Sequence, residues 1–207
     1  MKKVLFTLGI IATLIACNND KKTSTESATK PAEKAVQKDI VIDNQAVSIN
    51  WTAYKTTEKK PVKGKFTKYT FSTKRGDDIK TVLDNAKMTI VVNSINSGNE
   101  GRDAKLVKSF FGTMTDTENL TGVLKMESNN KGTVSFTMNA ITFDFPVTIN
   151  TDENAATISG VMNLDNWKAQ AAITALNIVC KDKHKGADGI SKTWSDVAIS
   201  VTIPFKK

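Results

Sequence analysis

Phe143-Asp-Phe145-Pro-Val147-Thr-Ile149-Asn150 alternates an apolar residue with a polar one or proline at every step. Successive side chains on a strand point to opposite faces, so this run predicts a β-strand with one face buried and the other in water. Pro146 has no N–H to give to a ladder, which places it at a bulge or on an edge. Just upstream, Asn139-Ala140 separates this run from Val134, Phe136 and Met138, which alternate in the same way; a tight turn joins the two strands.

The same period of two extends outward in both directions. Upstream it marks Val47-Ile49-Trp51-Ala53, Val62-Gly64-Phe66, Met88-Ile90-Val92 and Leu120-Gly122-Leu124-Met126. Tyr69 and Phe71 fall on the parity opposite to Phe66, and a β-bulge near Thr67 would keep both sets inside. Downstream it marks Ile158-Gly160-Met162-Leu164 and Val197-Ile199-Val201-Ile203-Phe205. Three segments carry helical spacing instead. They are Ile79, Val82, Leu83 and Ala86; Leu106 and Phe110 with Val107 and Phe111; and Ala169, Ala172, Ile173, Leu176 and Cys180. Eight strands with two or three short helices predict an all-β fold, an eight-stranded antiparallel barrel, because closure removes unpaired edges. Such a barrel is either filled by its own side chains or holds one small ligand.

The N-terminus reads differently. Met1-Lys2-Lys3 followed by an apolar run to Ala16 has the plan of a secretory signal, and it is too short to span a bilayer permanently. It ends Leu14-Ile15-Ala16-Cys17, which resembles a bacterial lipobox, so residues 1–16 are expected to be removed and Cys17 lipidated. From Cys17 to Asp39 the composition is polar and without aromatics, which predicts a disordered tether. Residues 40–207 then form one domain. The chain is expected on the membranes of a bacterial envelope, held by the lipid anchor on a periplasmic or outer-membrane face. With Cys17 in the anchor, Cys180 is the one thiol left and no intramolecular disulfide forms.

The formal net charge of +8 comes almost wholly from lysine, Arg75 and Arg102 being the two arginines. The lysines are scattered without aromatic interleaving, which argues against nucleic acid and for a solvated surface with a mild preference for anionic headgroups.

A more specific signal lies in the block that runs from Met88-Thr-Ile90-Val-Val92 through Asn93-Ser-Ile-Asn-Ser-Gly98-Asn-Glu-Gly-Arg102-Asp103 to Leu106-Val-Lys-Ser-Phe110-Phe111. It resembles the signature of the YceI-like family, as do Val62-Lys-Gly64-Lys-Phe66 and the ending from Lys183-His184 to Trp194-Ser-Asp196-Val197. After Phe111 the chain departs from better-known members, with Gly112-Thr-Met-Thr-Asp-Thr117 in place of a Tyr-Pro step. The resemblance implies a lipocalin-like barrel whose apolar pore takes a polyisoprenoid or isoprenoid quinone type of lipid. The residues then expected to line the pore are Trp51, Phe66, Ile90, Val92, Leu124, Phe136, Met138, Phe143, Phe145, Met162 and Val201 from the strands. Phe110 and Phe111 join them from the second helix.

Other candidate chemistry is thin. Arg102 either binds a lipid headgroup or pins its turn to the barrel, with Asp103 favouring the helix start. Cys180 and His184 are four apart and could form a thiolate–imidazole pair, but the cysteine continues an apolar stripe, where inert thiols sit. With a single histidine, no catalytic residue, metal site or cofactor is expected. Trp51, Trp167 and Trp194 line a cavity or fill a core; alternation does not separate the two. Lipid binding therefore leads, ahead of a filled-core interaction protein and a thiol enzyme or hydrolase.

Overall fold

The computed structural model describes residues 39–206. The expected signal peptide (1–16), Cys17 and nearly all of the tether lie outside the described residues. Ten strand segments form one antiparallel sheet: β1 (Ser48–Lys55), β2 (Lys60–Phe66), β3 (Tyr69–Ser72), β4 (Lys87–Val91), β5 (Ile95–Asn96), β6 (Asn119–Ser128), β7 (Lys131–Met138), β8 (Ile141–Thr151), β9 (Ala155–Asn163) and β10 (Thr193–Pro204).

The ten segments make eight strands, two of them bent. The chain kinks at Thr67-Lys68 between β2 and β3, and again at the 3₁₀ turn Val92–Ser94 between β4 and β5. The kinks face each other: β2 pairs with β5, β3 pairs with β4, and Thr67 N donates to Ser94 O across the corner at 3.1 Å. The two bent strands thereby join the ends of the remaining ladder, β4-β6-β7-β8-β9-β10-β1-β2, and the barrel closes. The parity change at Thr67 is thus a corner shared by two strands, and it keeps Phe66, Tyr69 and Phe71 packed with the core.

One seam is incomplete. The β8–β9 ladder spans only Val147–Thr151 against Ala156–Gly160, so residues 141–146 are hydrogen-bonded to β7 alone. Pro146 is the last residue of that one-sided stretch, where a residue without an N–H fits. Asn139 and Ala140, both at φ 54°, make the β7–β8 turn with the left-handed geometry that matches strand twist.

Helices close both ends. The end that carries the β6–β7 and β8–β9 turns is covered by α1 (Ile79–Leu83), whose Val82 and Leu83 are fully buried. Asp78 caps this helix, accepting from Thr81 N at 3.0 Å. The opposite end is covered by α2 (Glu100–Lys105), which widens into a π turn over Leu106–Phe110, and by α3 (Gln170–Val179), which packs on that turn.

Candidate functional site

The interior holds a cavity of about 170 Å³ whose wall is almost wholly apolar. It runs from Ala86 and Leu124, near α1, to Leu106, Phe110 and Phe111 under the α2 end. A void of this size lined by hydrocarbon stays dry and takes apolar guests. Trp51 leans across it above Gly64. A Cβ on Gly64 would stand 2.2 Å from the indole Cζ2, so only glycine leaves the ring its place. The indole Nε1 is buried with no hydrogen-bond partner.

Eleven of the thirteen residues expected in the wall are there: Trp51, Phe66, Ile90, Phe110, Phe111 and Leu124, with Phe136, Met138, Phe145, Met162 and Val201. Two are placed elsewhere. Val92 is buried but stands behind the wall, because the strand has already ended at Val91 and the 3₁₀ turn rotates its side chain away. Phe143 keeps the inward parity of β8 yet is 38% exposed. It lies on the one-sided stretch and stacks edge-on against Trp167 at 5.5 Å, and that indole occupies the space the phenyl ring would otherwise take. Leu106, Leu120, Val134, Ile158, Leu164 and Ile199 are also among the wall residues. Each stands on the inward parity or stripe of its segment, the signal by which the sequence marks it.

The three tryptophans separate into three roles. Trp51 lines the cavity. Trp167, fully buried, closes the open seam, with Nε1 donating to Phe136 O at 2.9 Å and its ring meeting Phe136, Phe143 and Phe145. Trp194 Nε1 donates to Thr56 O at 2.7 Å and fixes the β1–β2 turn.

The α2 cap is built locally. Asn99 Oδ1 accepts from Arg102 N at 2.8 Å, and Asp103 Oδ1 accepts from both Ser97 N (2.9 Å) and Ser97 Oγ (2.5 Å). Arg102 Nη1 reaches Ser97 O at 3.4 Å. The departing segment after Phe111 is tied in by threonines: Thr113 Oγ1 donates to Phe110 O and Thr117 Oγ1 to Phe111 O, each at 2.8 Å. The two phenyl rings are held edge to face at 5.0 Å beneath it.

Cys180 is buried in the core at the end of α3. The His184 ring is half-buried, and its Nδ1 shares a 2.7 Å hydrogen bond with Thr193 Oγ1. Among the described residues no hydrogen bond joins the thiol to the imidazole. Burial, with Lys55, Lys105 and Arg102 nearby, holds the imidazole pKa down to about 4. An imidazole that is not hydrogen-bonded to the thiol is not placed to activate it.

A closed antiparallel barrel with an apolar interior and helices over its ends fits the family the central block resembles. Residues 40–205 match the family model of the YceI-like domain. The chain belongs to the YceI-like family. No curated protein matches it. Solved structures share the YceI-like fold at low identity. A polyisoprenoid binding domain from Saccharophagus degradans has 11% identity and a TM-score of 0.58, over 81% of this chain and 97% of that one. Burkholderia cenocepacia BcnA has 18% identity and a TM-score of 0.53, over 79% and 98%. The Campylobacter jejuni YceI protein has 17% identity and a TM-score of 0.50, over 72% and 86%.

Proposed function

We propose that this YceI-like chain is an envelope lipoprotein that encloses the hydrocarbon chain of a long apolar lipid, polyisoprenoid or isoprenoid quinone in type, for carriage or storage. The observation that carries the reading is the apolar cavity, which a filled-core barrel would lack. The name of the Saccharophagus degradans relative, a polyisoprenoid binding domain, supports the ligand class. The lipobox-like ending at Cys17 supports the anchor. Binding, with no chemical step, is the function assigned.

Magnitudes favour a long chain. Each buried methylene contributes about 0.8 kcal/mol, whereas association costs roughly 4–15 kcal/mol before any affinity appears. About ten buried carbons offset a mid-range cost, so useful affinity needs more than that. At about 170 Å³ the void is below the roughly 300–1,000 Å³ usual for ligand sites. A long chain therefore enters with outward movement of the Leu106–Thr113 cap, the part of the wall held by one turn of π helix and a few threonine hydrogen bonds. Arg102 and Lys105 on the same cap then stand where a headgroup emerges.

The test is to purify the chain carrying Cys17→Ser, extract it with organic solvent and identify lipid by mass spectrometry. Fluorescent prenyl probes of increasing length are titrated in parallel. Bound lipid, with affinity rising with chain length and nearly independent of salt, is expected. A folded sample with neither lipid nor saturable uptake would overturn the reading. The anchor is checked separately: wild-type chain should partition with membranes and be processed in a globomycin-sensitive way, and Cys17→Ser should not be processed.

A further inference from the structure

The end of the barrel covered by α3 carries an apolar patch that neither the core nor the cavity uses. Ile178 (68% exposed), Val179 (45%) and Ile190 (56%) make up half of the strongly exposed large hydrophobic residues among those described. They come from two segments that Asn177 fastens together. Asn177 Oδ1 accepts from Ser191 Oγ at 3.1 Å and from Thr193 Oγ1 at 2.9 Å, and Asn177 Nδ2 donates to Ser191 O. The residue before Ser191 is thereby brought beside the residue after Asn177. The loop is itself braced, with Lys192 N donating to His184 O and Gly186 N to Ile190 O, which leaves Ile190 at a fixed turn.

Lys181, Lys183 and Lys185, on the stretch of chain between Val179 and Ile190, are exposed, and Lys192 lies over the Trp194 ring at 3.6 Å. The acidic neighbours are Asp182, Asp188 and Glu58, the last of which accepts from Ala187 N. Lysines outnumber them, and Lys55, Lys105 and Arg102, which after burial itself help to lower the His184 pKa, add to the same positive end. Protein interfaces favour aromatic residues and arginine at their centres and are depleted in lysine. Aliphatic residues accompanied by lysines are instead the pattern of an interfacial membrane contact. There the apolar tips enter the headgroup region and the long lysine stems reach up to the phosphates.

We propose that the C-terminal turn of α3 and the loop 184–192 form a docking surface for an anionic phospholipid bilayer. Seated there, the barrel rests on the bilayer with its α2–α3 end. Docking stands independently of the lipid-binding reading; only its consequence, that the movable cap is presented to the membrane from which a lipid would be drawn, rests on it.

The experiment uses the full chain with Cys17→Ser, so that no acyl anchor contributes, and vesicles of phosphatidylcholine alone or with 30 mol% phosphatidylglycerol. Partitioning should be stronger on the anionic vesicles and weaken in 0.5 M salt. Adding Ile178→Ser with Ile190→Ser should lower it about tenfold; the apolar leader is common to both proteins, so their ratio reports the patch. An environment-sensitive dye on Ile190→Cys should shift to the blue on anionic vesicles, while one on Thr148→Cys, on the barrel's side wall, should not. Equal partitioning of the two proteins, equal binding to neutral vesicles, or an Ile190 dye left in water would overturn the proposal. So would a serine-sensitive dimer that ignores vesicles, which would assign the patch to a second copy. Prenyl-probe uptake by the double-serine protein should be unchanged in free solution, so a failure of docking and a failure of lipid binding are read separately.

Discussion

Gly64→Ala tests the fit between the barrel wall and the cavity. Gly64 lies opposite Trp51 in the β1–β2 ladder and next to Lys65, which pairs with Asn96. An added Cβ would stand 2.2 Å and 2.6 Å from Cζ2 and Cε2 of the indole and 2.9 Å from the Asn96 carbonyl oxygen. All three are closer than carbon tolerates. The carbonyl belongs to the corner ladder and cannot yield without opening it, so the indole moves, and the space available to it is the cavity. Overpacking of this kind costs about 1–3 kcal/mol, and the lower entropy of an unfolded alanine returns about 0.4–1 kcal/mol. A net loss of about 1–2 kcal/mol, or roughly 2–8 °C in Tm for a domain of this size, is expected. Probe affinity should fall as well, because the displaced ring occupies part of the pore. Urea unfolding and prenyl-probe titration measure the two effects. The decisive comparison is the same alanine in a Trp51→Leu background, where both contacts with the indole are gone, only the 2.9 Å approach to the Asn96 carbonyl remains, and the substitution should cost clearly less. A coupling of at least about 1 kcal/mol follows for residues in direct contact. If the alanine costs the same with and without the indole, the reasoning about Gly64 is wrong.

Phe145→Glu should cost more than about 3 kcal/mol and abolish probe uptake, since it buries an unpaired carboxylate. Phe143→Glu should cost about 1–2 kcal/mol, chiefly the lost ring contact with Trp167, and leave uptake largely intact; thermal unfolding and titration compare them. His184 titrates near 4 in the folded chain and near 6.5 when unfolded. The unfolded state therefore binds the extra proton first, and the contribution of the neutral ring, full above about pH 6.5, is lost as pH falls towards 4. Denaturation midpoints between pH 7.5 and 4 should show this slope, and His184→Gln should flatten it. Asp103→Ala removes the acceptor for both Ser97 N and Ser97 Oγ and should cost about 1–2 kcal/mol, with faster hydrogen exchange confined to the Ser97–Phe111 cap. Cys180 should react with thiol reagents slowly in the native state and rapidly in urea; fast native labelling would contradict its burial.

The strands, their inward faces and the three helical segments were legible in the sequence because hydrophobic period is a local property. A residue's parity is decided by its neighbours two positions away, wherever the rest of the chain lies. The central block from Met88 to Phe111 carried the family for a related reason, since turn, cap and helix start are written within a few residues of one another. What parity does not encode is depth along the barrel axis or what lies across a seam. Phe143 and Phe145 are equivalent in sequence. Only the shortened β8–β9 ladder and the arrival of Trp167 from beyond β9 put one at the surface and the other in the wall. Val92 left the wall because the facing corner at Thr67 obliges β4 to bend there. Whether Trp51, Trp167 and Trp194 would line a cavity, fill a core or fix a turn was likewise open, and the partners that decided it are up to 138 residues away in the chain. The exposed Ile178, Val179 and Ile190 became one surface only through Asn177. A strand's inward face is a matter of local chemistry, but an open interior and a shared surface depend on the volumes and hydrogen bonds of residues that meet only when the barrel closes.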